Sequence, residues 1–167
     1  SDTGTRRESR DVEPWRITEQ TEQPVRKMLE EVYSADAEMP LAEQINQIAS
    51  QQALAYWRDH RRDILDSVAD SFLSEYDDFN IGTSFRKAAT ASIAYSLQLR
   101  CGLEPELYRE DFTEVLNFNT PSTVGELGNA VSMITGQVLR QIEMTIRQTE
   151  RSMEHDRTEV QAERGLS

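Results

Sequence analysis

Apolar residues recur along this chain at spacings of three and four, in four separate stretches. That period predicts helices that each bury one face. Val25, Met28, Leu29, Val32 and Tyr33 form the first stripe. Its helix is predicted to start near Thr21, with Pro24 inside the first turn. The segment SADAEMP ends it, and Pro40 opens the next helix. From Leu41 to Tyr76 two stripes follow one another. Leu41, Ile45, Ile48 and Ala49 make the first; Ile64, Leu65, Val68, Phe72 and Tyr76 make the second. Between them Arg58 to Asp63 (RDHRRD) is wholly polar and cannot face a core on all sides. The pattern allows one long helix or two, and a long helix with a kink is favoured.

DDFNIGTS reads as the next connection, with Thr83 or Ser84 as an N-cap. The helix that follows, FRKAATASIAYSLQLRC, is the most apolar of all. Phe85, Ala89, Ile93 and Leu97 lie on one side, with Ala91, Ala94 and Tyr95 beside them. Its small residues permit close approach of neighbours, so residues 84–101 are predicted to form a buried central helix. Gly102 is its C′ residue. EPELY is a surface turn. REDFTEVLNF then predicts a short acidic helix with Phe112, Val115, Leu116 and Phe118 packed inward. Glu110 and Asp111 sit at its positive dipole end. Thr120 caps the last helix and Pro121 begins it. Val124, Leu127, Val131, Ile134, Val138, Ile142 and Ile146 give that helix a long stripe. Gly125, Gly128 and Gly136 weaken it, marking a kink or a close crossing, or dividing it near Gly128. Beyond Met153 the stripe fades.

The whole pattern predicts an all-α fold. A single domain of five or six helices spans residues 14–153. Residues 1–13, with Val12 their one apolar residue, read as disordered or as linker. Residues 154–167 read as a polar linker tail. In PWRIT, Trp15 and Ile17 are expected to dock on the helices.

Composition agrees with the pattern. Gly and Pro total only 12 in 167 residues, so loops must be few. The formal charge is −12, from 18 basic and 30 acidic residues. An acidic chain repels phosphate backbones and anionic lipid, so direct binding to nucleic acid or membrane is not expected. One cysteine, Cys101, excludes an internal disulfide and favours a reducing, cytoplasmic setting. No stretch reaches the length of a membrane span, and SDTGTRRESRD has no apolar signal region. The missing initiator Met and the polar tail suggest a piece of a longer polypeptide.

Candidate chemistry is sparse. His60 and His155 lie in polar surroundings, and no His-Glu-x-x-His is present. Cys101 closes a buried helix, where free cysteine is usually a small hydrophobe. The carboxylates fall on polar helix faces beside arginines, and no calcium-loop pattern or phosphate-binding Gly-rich loop occurs. No metal, cofactor or catalytic set is expected. The one feature loop is NFNTPSTVGEL. Turn and capping chemistry explain its polar residues. Asn117, Asn119, Thr120 and Pro121 remain a candidate interaction loop.

Ser92 to Ile146 combines an apolar helix, Arg-Cys-Gly, an acidic Asp-Phe helix, Phe-Asn-Thr-Pro and a long helix. That block resembles a helical accessory region of LtrC-like proteins. These are large multidomain proteins of conjugative elements and phages. The likeness extends over roughly residues 63–167 and implies neighbouring domains in a parent protein. A looser likeness links Ser92, Ile93, Ala94 and Tyr95 to the Ser-Val-Ala-Tyr helix of antirestriction metallopeptidases. Their zinc-binding Glu just before that motif is absent here, where Ala89, Thr90 and Ala91 stand. Three functions follow as expectations. The leading one is a non-enzymatic helical interaction module that docks on neighbouring domains or forms a homodimer. The others are an acidic antirestriction decoy imitating DNA charge, and a degenerate, metal-free relative of the metallopeptidases.

Overall fold

The computed structural model describes residues 17–105 and 112–166. The fold is all-helical: among the described residues there are four α-helices, two 3₁₀ turns and no strand. The helices are α1 (Glu19–Tyr33), α2 (Leu41–Ser67), α3 (Asp78–Arg100) and α4 (Pro121–Leu166). Their apolar faces meet in one core centred on α3. α2 packs along α3, and α4 runs against α1, α2 and α3. The predicted disordered or linker segment 1–13 and Trp15 lie outside the described residues. Ile17 is half-buried against the core, as the docking reading required.

α1 and α4 start alike. Thr18 N donates to Thr21 Oγ1 at 2.9 Å, and Thr120 N donates to Thr123 Oγ1 at 3.0 Å. Each Thr-x-x-Thr thus satisfies amides that the first turn leaves unpaired. α1 therefore begins at Glu19, and Pro24 lies beyond the first turn. It forgoes one helical hydrogen bond there. At the other end Ser34 adopts φ 58°, and the Arg26 guanidinium holds the following turn by donating to Ala37 O and Met39 O. Val32 falls off the buried face and is half exposed.

α2 is one helix with a kink at His60 (φ −118°, ψ 20°), and five of the six residues from Arg58 to Asp63 are exposed. It stops at Ser67, nine residues before the apolar stripe runs out. The stop is local chemistry: Ser71 Oγ accepts from Leu73 N and caps a separate 3₁₀ turn, Phe72–Glu75. Val68 and Leu73 stay in the core. Phe72 and Tyr76, predicted as core, turn outward.

α3 also departs from its predicted boundary. Asp77 Oδ1 accepts from Asn80 N at 2.8 Å, so the helix starts at Asp78 and DDFNIGTS is not a loop. A carboxylate cap at the dipole's positive end outcompetes Thr83 and Ser84. Gly82 is inside this first stretch because a Cβ there would come within 2.6 Å of the Trp57 indole. The central helix is otherwise as expected: Phe85, Ala89, Ile93 and Leu97 are all fully buried. Gly102 (φ 77°) ends it, with Leu103 N donating to Gln98 O and Gly102 N to Leu99 O. These two bonds satisfy carbonyls of the last turn.

Two features lower the helix count below the expected five or six. The first three residues of the predicted acidic helix, 109–111, lie outside the described residues, and its later part forms a 3₁₀ turn, Glu114–Asn117. Phe118 is buried from this segment and Phe112 stacks edge-on against Tyr95, but Leu116 is 75 % exposed. The glycines of α4 neither kink nor divide it. The helix is continuous over 46 residues, and Gly125 and Gly128 have open space where a Cβ would go. Gly128→Ala should therefore stabilise the chain by about 1 kcal/mol, read as a higher urea midpoint. Val124 is exposed because Thr123 takes the buried position beside it. α4 does not end near Met153: the predicted linker tail is helical to Leu166, with residues 154–165 all exposed.

Among the described residues Gln44 is the one long polar side chain with no exposed surface, and neither its amide oxygen nor its nitrogen has a hydrogen-bond partner there. An unpaired buried amide is costly. Gln44→Leu keeps most of the volume and removes both orphan atoms. It should raise stability by about 1–3 kcal/mol in a urea titration.

Candidate interaction surface

The predicted interaction loop is built into the frame. Asn117 Nδ2 donates to Glu114 Oε2, which also accepts from Ser84 Oγ at 2.6 Å. That bridge ties the second 3₁₀ turn to α3. Thr120 is the cap of α4 and its hydroxyl donates to Asp70 Oδ1 at 3.3 Å. Pro121 occupies the first helical position, where a missing N–H costs nothing. Asn119 is exposed. Three of the four loop residues thus have a structural task.

The reactive residue types are kept apart. His60 stacks on Tyr56, with ring centroids 4.0 Å apart, near the Phe85 level of α3. It is half-buried at the kink of α2 rather than solvated. Cys101 closes α3 about 24 Å further along the helix axis. Its thiol is buried, and burial pushes its pKa up to about 12, away from thiolate chemistry. His155 pairs with Glu159 on the exposed outer part of α4. Among the described residues no group of three or more His, Cys, Asp or Glu is placed to hold a metal ion. Burial and the nearby Glu126 carboxylate push Tyr56 to about 12 as well.

Both groups ionise more readily in the unfolded chain than in the folded one. Their contribution to stability is thus fully present below about pH 9 and should be lost as pH rises from about 9 towards 12. Chemical denaturation across that range, with thiol labelling of Cys101 tracking unfolding, checks the sign.

A groove of about 780 Å³ lies between the first half of α2 and the length of α3 from Thr83 to Gln98. Its floor is already cross-linked, since Gln98 Nε2 donates to Ala42 O and to Asn46 Oδ1. Arg86 and Lys87 on one side are balanced by Glu43 and Glu104. Nothing in it converges on a reacting atom.

The most unusual surface is at the start of α3. The Thr120–Asp70 bond and the Phe85–Phe118 ring contact at 5.9 Å gather the end of α2, both 3₁₀ turns and the starts of α3 and α4. Phe72, Tyr76, Phe79, Leu116 and Val124 are exposed there at 47, 51, 78, 75 and 54 %. Phe72 and Tyr76 stack edge-on at 6.1 Å. Six exposed carboxylates, Asp63, Asp66, Asp70, Glu75, Asp77 and Asp78, share the chain segment that carries these aromatics, with no Lys or Arg in that stretch. Among the described residues only Asp78 of these has an ion-pair partner, Arg61 at 3.3 Å. So many large apolar side chains left exposed at one end of a helical bundle is unusual.

No family model, curated protein or solved structure matches this chain.

The surface must therefore be read from its own chemistry. The sequence pattern hid it because Phe72 and Tyr76 continue the helical spacing of Ile64, Leu65 and Val68. The signal was the Ala-Asp-Ser break before Phe72, together with a run of carboxylates that no cation interrupts. No described helix is long and apolar enough to cross a membrane.

Proposed function

We propose that this chain is a non-enzymatic helical interaction module of a larger, cytoplasmic protein, of the LtrC-like kind found in mobile elements. The observation that carries the reading is the acid-rimmed aromatic end. Folding leaves Phe72, Tyr76 and Phe79 in water while a complete core forms elsewhere. Each such ring gains free energy when a partner covers it. The acidic rim repels acidic or phosphate-rich partners and favours a basic, apolar segment of a neighbouring domain. The resemblance of Ser92 to Ile146 supports the larger-protein context.

The test is calorimetric titration of the purified chain with the neighbouring module of its parent polypeptide. Binding should weaken at least about tenfold in Phe79→Ser, an exposed site whose change leaves the melting temperature in place. Absence of binding, or binding indifferent to Phe79→Ser and Tyr76→Ser, would refute the reading.

A further inference from the structure

The solvent face of α4 carries the opposite chemistry to the rest of the molecule. At 100° per residue, Met133, Gln137, Arg140, Met144, Arg147, Arg151 and His155 fall within an arc of about 80°. All seven are exposed, Met133 by 44 % and Met144 by 63 %. No carboxylate falls in that arc between Met133 and His155. The only acidic contact onto it among the described residues before His155 is Glu143, which pairs with Arg147 from its edge. A chain of net charge −12 thus displays a basic stripe about 33 Å long with two methionines along it. Exposed Met is adaptable and recurs on binding surfaces.

This stripe complements the acid-rimmed aromatic end. One surface offers Met133 and Met144 with Arg140, Arg147 and Arg151. The other offers Phe72, Tyr76 and Phe79 with Asp66, Asp70 and Glu75. The two cannot meet within one molecule. Thr120 pins the start of α4 beside Asp70, and Met144 lies about 36 Å along a straight helix from that point. We infer that the occupant is a second copy of this chain: the aromatic end of one molecule docks on the α4 stripe of the next. The inference rests on the aromatic end being a docking face and names its partner. The contact joins two different surfaces, so it is head-to-tail and leaves one of each free for a further copy. Repulsion between whole molecules of charge −12 acts over long distances and is screened within about 10 Å at about 0.1 M salt, whereas contact pairs are screened less.

Sedimentation velocity of the full chain over a concentration series tests this. At about 0.1 M salt the average mass should exceed that of a monomer and rise with concentration, and it should fall at about 0.5 M. Arg147→Glu with Arg151→Glu disables one face; Asp66→Lys with Glu75→Lys disables the other. Each pair should weaken self-association at least about tenfold, and Met144→Ser, which leaves charge untouched, should weaken it too. Circular dichroism melts confirm that the variants fold. A 1:1 mixture of the two charge-reversed chains should associate again, because the intact aromatic end of one meets the intact stripe of the other and the two reversed faces are themselves opposite in charge. Wild-type mass fixed at the monomer, association indifferent to both reversals, or a mixture that stays monomeric would each overturn the inference. A monomeric chain that still binds the neighbouring module would sink self-pairing and leave the interaction reading standing.

Discussion

Phe85→Ala should lower the stability of this chain by about 3–5 kcal/mol, the largest effect of any single truncation in the core. Phe85 has no exposed surface. Its ring lies 6.0 Å from Tyr56, 6.4 Å from Trp57 and 5.9 Å from Phe118. It therefore joins α2, α3 and the segment entering α4. Collapse into the vacated space is blocked, because Gly82 one turn earlier already brings the α3 backbone against Trp57. A cavity that cannot close keeps its full penalty. The measurement is the urea midpoint at constant slope. A loss below about 1 kcal/mol would mean that this junction is loosely packed.

Ile93→Ala should cost about 2–5 kcal/mol, against about 1 kcal/mol or less for His60→Ala. Ile93 is fully buried midway along α3, flanked by Ala89 and Leu97 one turn either side. His60 is half exposed and contributes one ring contact, to Tyr56. The kink at His60 survives truncation because the polar run Arg58–Asp63 stays in water in either form. Urea titration of the two variants reads the contrast directly. A larger loss for His60→Ala would place a buried network in the kink that the burial pattern does not contain.

The all-α class, the buried identity of α3 and the capping of α4 by Thr120 and Pro121 were legible in the sequence. They rest on periodicity and caps, which act over a few residues. Boundaries failed where two local signals competed. At Ser67 the apolar spacing argued for continuation, yet Ser71 supplied a competing cap and ended the stripe early. At Asp77 a strong cap lay upstream of the Thr-Ser pair that spacing singled out. The glycines of α4 looked like breakers because their cost is intrinsic. In the fold their neighbours on the stripe, Leu127 and Ala130, are buried and offset it.

The exposed aromatic end was hidden for the same reason as the boundary at Ser67. Its aromatics obey helical spacing, and only the fold takes them out of register with the core. The loop at Asn117–Pro121 was the reverse case: conspicuous in sequence, it spends its polar atoms on capping and on the bridge to α3.

The uneven support along α4 makes one helix into two thermodynamic regions. From Leu127 to Ile142 its turns are anchored by side chains in the core. From Glu154 outward the turns have solvent on every face and only exposed pairs such as His155–Glu159 and Glu154–Arg157 to favour them. Pairs of that kind contribute a few tenths of a kcal/mol each. The outer turns therefore open in local fluctuations that never reach the bundle, while the inner turns open only when the whole molecule unfolds. Amide hydrogen exchange along this single rod should accordingly show a protection gradient, from near zero at the tip to the global value at the core. The helix thus joins a rigid body to an arm whose order is open to stabilisation by whatever it touches.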